Sequence, residues 1–268
     1  MKLAYPFGTK ETMAPLLGYR GDEEEVFKLL KELGYSAVEL FIRNPRLIDS
    51  SQFERSVIKT GIEIAGIGTG PVVSDDKLTF TDEEKVIRKE AVNRTKEIIE
   101  FASHFGKQVF VGKLRGNINK NNPDQSWKWM CESLEQICEH AEKYQVNVAL
   151  EPQNSDVINN LNRTQEALRF VKDLNLPNLS LMLDVYHMNF EDQSISNNFF
   201  NAKDHFIHIH IADSNRQAPG NDKMNFKEII NTLRAINYSN YITLEISQGT
   251  SSYREAKASI EYLKTVGV

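Results

Sequence analysis

The chain contains only two cysteines in 268 residues, Cys131 and Cys138. Seven positions apart in a stretch of helical periodicity, they are separated by about 10 Å along a helix axis, beyond disulfide reach. That excludes a disulfide-stapled scaffold and leaves two reduced thiols. No apolar run approaches the roughly 20 residues of a membrane span. The segment Met1 to Phe7 has neither a signal-peptide nor a transit-peptide pattern. A cytoplasmic protein with no membrane partner is expected. Positive charge is in deficit, with 32 Lys and Arg against 37 Asp and Glu for a net charge of −5. No broad basic surface is available to hold a phosphate backbone, so nucleic acid is not an expected partner. Linkers, low-complexity tracts and a glycine-rich dinucleotide fingerprint after the first strand are missing too.

What is present is a regular alternation. Short β-like runs cover Lys2 to Phe7, Ser36 to Ile42, Glu63 to Thr69, Gln108 to Leu114, Asn147 to Pro152, Leu179 to His187, Phe206 to Ala212 and Tyr241 to Ser247. Between them lie amphipathic segments such as Glu23 to Leu33, Asp82 to His104, Gln125 to Tyr144, Thr164 to Leu174, Phe226 to Ile236 and Ser252 to Lys264. Thr81 with Glu84, and Ser252 with Glu255, have capping-box spacing and place two helix starts. Strands each followed by a helix predict an α/β fold, a (β/α)₈ TIM barrel in which residues 1–268 form one domain.

The alternation within strands favours a closed barrel over an open sheet. In LSLMLD, the leucines 179, 181 and 183 share one face, while Ser180, Met182 and Asp184 share the other. The same split sets Val146, Val148 and Leu150 against Asn147, Ala149 and Glu151, and Ile242, Leu244 and Ile246 against Tyr241, Thr243 and Glu245. In the seventh run it sets the isoleucines 207, 209 and 211 against Phe206, His208 and His210. One face packs on the surrounding helices; the other points into the lumen, where its last residue reaches the mouth.

Glu151, Asp184, His210 and Glu245 thus close the inward rows of four successive strands, spaced by 33, 26 and 35 residues. Three unpaired carboxylates in a partly dry mouth are costly, and a divalent cation removes the cost. Three oxygen ligands and one imidazole suit Mn²⁺ best, with Mg²⁺, Co²⁺ or Zn²⁺ as alternatives.

The motifs LEPQN, LMLDVYH, HIHIADSNR and TLEIS, in this order, resemble the last four strands of the xylose-isomerase-like TIM barrel superfamily, in its sugar and sugar-phosphate isomerase and epimerase branch. The resemblance implies a metal on Glu151, Asp184, His210 and Glu245. By likeness to the ketose 3-epimerases, it also implies Glu151 and Glu245 as a catalytic acid/base pair and His187 and Arg216 as substrate contacts. A carbonyl α-proton is on the order of fifteen pKa units less acidic than a carboxyl, roughly 20 kcal/mol, so a carboxylate alone cannot remove it. A Lewis-acidic cation closes much of the gap, and a positioned base adds a factor of about 10² to 10⁴. Removal by one glutamate and return by the other from the opposite face epimerises the carbon.

Further candidates surround this set. Glu39 shares a face with Ala37 and is an inward acid, a substrate contact or a support for the metal ligands. His208, two residues deeper than His210, is read as packing or orienting. Lys113 and Arg115 in VGKLRG can attract a sugar phosphate, as can SQGTSS after the eighth strand, where Ser252 is read instead as a helix cap. Trp127, Trp129, Phe199 and Phe200 suit helix packing or a subunit contact, in a homodimer or homotetramer. One departure stands out: free-ketose 3-epimerases carry a further glutamate six residues after the one matching Glu151, where this chain has Val157. The alternatives on the same site are an inosose dehydratase and a hydroxypyruvate isomerase. More distant are a zinc endonuclease acting at abasic sites, which needs extra lumen histidines where only His104 and His140 precede the motifs, and a non-catalytic sugar-binding protein.

Overall fold

In the computed structural model, which describes residues 1–268, eight parallel strands close into a barrel in sequence order. They are β1 Lys2–Gly8, β2 Ala37–Phe41, β3 Glu63–Gly68, β4 Gln108–Val111, β5 Asn147–Leu150, β6 Leu179–Asp184, β7 Phe206–His210 and β8 Tyr241–Thr243. Ten helices surround or cap it: α1 Glu23–Leu33, α2 Ser50–Thr60, α3 Gly70–Asp76, α4 Lys85–His104, α5 Pro123–Lys143, α6 Thr164–Leu174, α7 Val185–Glu191, α8 Ile195–Ala202, α9 Phe226–Ala235 and α10 Ser252–Thr265. No helix is long and apolar enough to cross a membrane.

The strands end earlier than their apolar patterns. The regular strands end at Leu150 on β5 and Thr243 on β8; single inter-strand bonds from the Glu151 N–H to Val111 and from the Leu244 N–H to Ala4 carry the chain on to the two glutamates at the mouth. The sequence LMLDVYH divides at Asp184, whose side chain accepts from the Tyr186 N–H and starts α7 directly. An Asx cap at that point overrides the extended pattern of the following residues. Both expected capping boxes shift. Glu84 is the cap position of α4, and Thr81 instead donates to the Asn117 carbonyl. At α10 the cap is Ser251, not Ser252.

The two faces separate as the alternation requires. Val148, Leu150, Leu179, Leu181, Leu183, Ile242 and Leu244 join one large core between barrel and helices. The lumen holds two small layers, one of Ala4, Ala37 and Ala65 and one of Phe110, Ala149 and Met182. Strand β7 departs from expectation: Phe206 packs in the outer core and Ile207 against the lumen layer. A register shift, with Leu181 opposite Phe206 but Met182 opposite His208, inserts one residue and reverses the facing below it. His208 and His210 keep their inward direction.

Because the alanine layer is fully buried, Ala37→Leu should lower stability by about 1–3 kcal/mol through overpacking. Ile58→Ala, at a position 73% exposed, should stay within about 0.5 kcal/mol. Denaturant unfolding of the two variants against the parent checks the contrast.

Candidate active site and metal centre

Glu151, Asp184, His210 and Glu245 converge at the carboxyl end of the barrel, offering one ligand atom each, all within 4.8 Å of one another. Each arrives by the simplest route: an inward row ends there, and the next residue would leave the lumen. Glu151, Asp184 and His210 are buried, and Glu245 is partly exposed. Two of these groups present atoms without a hydrogen-bond partner, Glu151 Oε1 and His210 Nδ1. Buried polar atoms are normally paired. A cation would satisfy lone pairs left free on two groups of one tight cluster, and a donor set of three carboxylates and an imidazole fits a divalent one.

The imidazole is aimed from behind. Glu39, fully buried on β2, accepts from His210 Nε2 at 2.8 Å and from His208 Nε2 at 3.0 Å. A proton held at Nε2 leaves the Nδ1 lone pair facing Glu245 Oε2 at 3.3 Å and Glu151 Oε1 at 3.9 Å. Gly68 is small so that this carboxylate has room, since a Cβ there would stand 3.2 Å from Glu39 Oε1 and 2.6 Å from the Phe41 ring. His208 also meets Thr243 Oγ1 at 2.8 Å and lies against Phe110 at 4.4 Å, an orienting place.

Electrostatics follow burial and neighbours. Burial raises the Glu151 carboxyl above its ordinary value, and Asp184 adds to this. Burial acts the same way on Asp184, but the charge and hydrogen bond of the Arg216 guanidinium outweigh it and hold that carboxyl low. His187 is pushed down to about 3 by burial and is neutral. It sits in the first turn of α7, 3.8 Å from Glu151 and 3.7 Å from Asp184, with Nδ1 accepting from the Asn154 N–H.

Arg216 is buried, though its loop composition reads as a surface excursion. Its guanidinium bridges Asp184 and Glu245 and lies 4.6 Å over the Tyr186 ring. It has a left-handed φ of 61°, a strain that the loop must hold in place. Asp213 does so by accepting from the N–H groups of Ser214, Gly220, Asp222 and Met224.

The two cations of VGKLRG separate. Lys113 is exposed at the rim of the cleft with no hydrogen bond or ion pair to its ammonium. Arg115 is fully buried and donates to the carbonyls of Gly112, Glu151 and Asn160 and to Asn160 Oδ1. The expectation that Arg115 attracts phosphate is therefore corrected: it splints the end of β5 to its loop. Sequence reasoning also passed over Gln153, which donates to Glu151 Oε2 at 2.8 Å. Its place two residues beyond Glu151, on the same inward parity, was the signal available. His104 and His140 lie on the outer helices α4 and α5, and His140 pairs with Glu100.

Glu151, His210 and Glu245 of this cluster floor a cleft of about 520 Å³, open to solvent. Phe41, Phe110, Met182 and Tyr186 give it apolar walls. Pro15, Leu16 and Leu17 of the β1 loop close one side.

A family model described as the xylose isomerase-like TIM barrel matches residues 27–266, and the chain belongs to that family. Within it the chain is an enzyme of the isomerase and epimerase class, since the relatives that span it are epimerases. One, a probable ketose 3-epimerase of Synechocystis, is 24% identical over 93% of this chain and 90% of its own length. Another, the 3-dehydro-D-guloside 4-epimerase of Escherichia coli, is 26% identical over 90% and 94% respectively. Among solved structures, a D-psicose 3-epimerase of Clostridium cellulolyticum with D-tagatose superposes with a TM-score of 0.83. It is 22% identical and covers 99% of each chain.

Replacing Arg115 by Met should lower stability by several kcal/mol, at about 1–3 kcal/mol for each buried acceptor left unpaired. Lys113→Ala should be neutral. Thermal unfolding distinguishes the splint from the exposed cation.

Proposed function

We propose that the protein is a divalent-metal-dependent ketose 3-epimerase, with Mn²⁺ as the ion held by Glu151, Asp184, His210 and Glu245. The observation that supports this reading best is the geometry of the acid pair. Glu151 and Glu245 come from β5 and β8, separated by two intervening strands, yet meet in one cluster. A planar carbon placed between them would have one carboxylate on each face. The bound ion supplies Lewis acidity to the substrate carbonyl.

The remaining work belongs to the chain. Glu151, whose proton affinity is raised by burial, takes or returns a proton through its carboxylate. Glu245, held by Arg216, serves the opposite face through its own carboxylate. His187 Nε2 stands beside Glu151 and the Arg216 guanidinium beside Glu245, and both orient substrate hydroxyls by hydrogen bonding. The apolar walls limit water around the transient planar carbon. Lys113 at the rim offers a cation to an anionic group on the far end of a substrate, such as a phosphate. With Val157 in the cleft wall, where free-ketose enzymes carry a glutamate, such a substrate fits better than a plain ketose. Epimerisation at C4 of a 3-keto sugar uses the same pair, and the Escherichia coli relative keeps that reading beside the first.

Incubation in D₂O with Mn²⁺ and a panel of ketoses, ketose phosphates and 3-keto sugars should place deuterium at C3 or, for a 3-keto sugar, at C4. Incorporation confined to C1 and C2 would mean aldose–ketose isomerisation instead. Glu245→Gln and Glu151→Gln should each cut turnover by about 10²- to 10⁴-fold, and near-normal turnover in either removes the two-base scheme. Chelation of the metal should abolish exchange, and Mn²⁺ should restore it.

A further inference from the structure

Gln153 belongs to no role described so far, yet its surroundings are built with care. It is 7% exposed and forms part of the cleft wall. Its Nε2 donates to Glu151 Oε2 at 2.8 Å, while its Oε1 is buried without a partner in the protein. A carboxylate oxygen only accepts, so the amide group faces Glu151 and the carbonyl is turned away from it.

The backbone at both residues is immobilised. Arg115 donates to the Glu151 carbonyl at 2.8 Å, and Asn162 Nδ2 to the Gln153 carbonyl at 2.7 Å. The neighbouring strand makes room for the pair. A Cβ on Gly112 would stand 2.6 Å from Glu151 Oε2 and 2.9 Å from Gln153 Nε2. Glycine at 112 leaves room for this contact at the start of the turn Lys113–Arg115.

The terminal torsion of a glutamate side chain is broad and has no sharp rotamer of its own. Only an external bond fixes the plane of its carboxylate. We propose that Gln153 is the positioning residue of Glu151: its amide holds Oε2 so that Oε1, the unpartnered oxygen, is presented to His210 and the metal ligands. This rests on the assignment of Glu151 as ligand and base. The two oxygens then have separate surroundings, Oε2 anchored on Gln153 and Oε1 facing the cluster. Val157 offers no side-chain donor or acceptor in the same loop, and it is Gln153 that hydrogen-bonds the Glu151 carboxylate.

The test uses the full-length protein with Gln153→Met, close in shape, and Gln153→Glu, equal in shape but without the donor. Mn²⁺ affinity is measured by electron paramagnetic resonance without substrate. Then kcat and KM are measured on whichever substrate exchanges deuterium, and apo thermal unfolding is recorded. Both variants should bind Mn²⁺ about 10- to 100-fold more weakly and lose kcat by a similar factor, with KM and the unfolding midpoint little changed. Gly112→Ala should reproduce the pattern. Wild-type Mn²⁺ affinity and kcat in Gln153→Met would overturn the proposal, as would a change confined to KM, which marks a substrate contact. If either variant fails to fold, the other decides by the same criteria. Glu151→Gln run alongside separates the two ideas. Should it turn over normally, the assignment of Glu151 fails, whereas an inactive Glu151→Gln beside a normal Gln153→Met removes the positioning role alone.

Discussion

Three carboxylates, from Glu151, Asp184 and Glu245, are brought together with the His210 imidazole at the mouth of the barrel, with their ligand atoms within 4.8 Å of one another. Like charges that close, with little water between them, are tolerated only while positive charge stays among them. Arg216 supplies one such charge, bridging Asp184 and Glu245, and the donor set is suited to a divalent ion for the rest. Much of the surrounding structure reads as a consequence of that demand. Glu39 fixes the tautomer of the imidazole, and Asp213 holds the strained loop that carries the arginine. Arg115 secures the backbone from which Glu151 projects.

The supports are placed where regular structure runs out. β5 and β8 end one and two residues before their glutamates; the Glu151 N–H still donates to the Val111 carbonyl of the neighbouring strand, while that of Glu245 reaches only Thr243 of its own segment. Bonds outside the sheet take over: Arg115 and Asn162 on the β5 side, and the Ser247 N–H donating to the Arg216 carbonyl between the last two loops. Ending pairing early lets the chain bend over the mouth and bring acids from separated strands together. The rigidity lost is then restored by buried polar side chains. The same economy of space shows in the glycines, since Gly68 and Gly112 lie beside carboxylates and Gly66 beside the Phe110 ring that fills the lumen.

Burial also divides residues of similar chemistry. Lys113 and Arg115 are two positions apart, yet one ends in solvent and the other within four acceptors. His208 and His210 lie on one face of one strand. Only the outer of the two turns a free ring nitrogen toward the acid cluster, because the deeper one is enclosed by Glu39, Thr243 and Phe110. Depth along the lumen, more than residue type, separates orienting groups from groups that face the cleft.

The sequence alone was sufficient for the barrel and for the four residues that converge, because both depend on short-range regularities. A two-residue period sorts each strand into an outer and an inner face, and a strand–helix repeat returns each inner row to the same end. Helix α1 and helix α6 carry their boundaries in the same local pattern. What depended on packing between distant segments was not legible. The insertion in β7 that turns Phe206 outward arises from its register against β6. The start of α7 inside an apolar run is set by a cap on a residue that also faces the cluster. The burial of Arg115 and Arg216, and the Gln153 amide on Glu151, are decided by which loops meet over the mouth. Periodicity says which way a side chain points; only the closed barrel says what it meets there, because partners many residues apart are chosen by the space left between them.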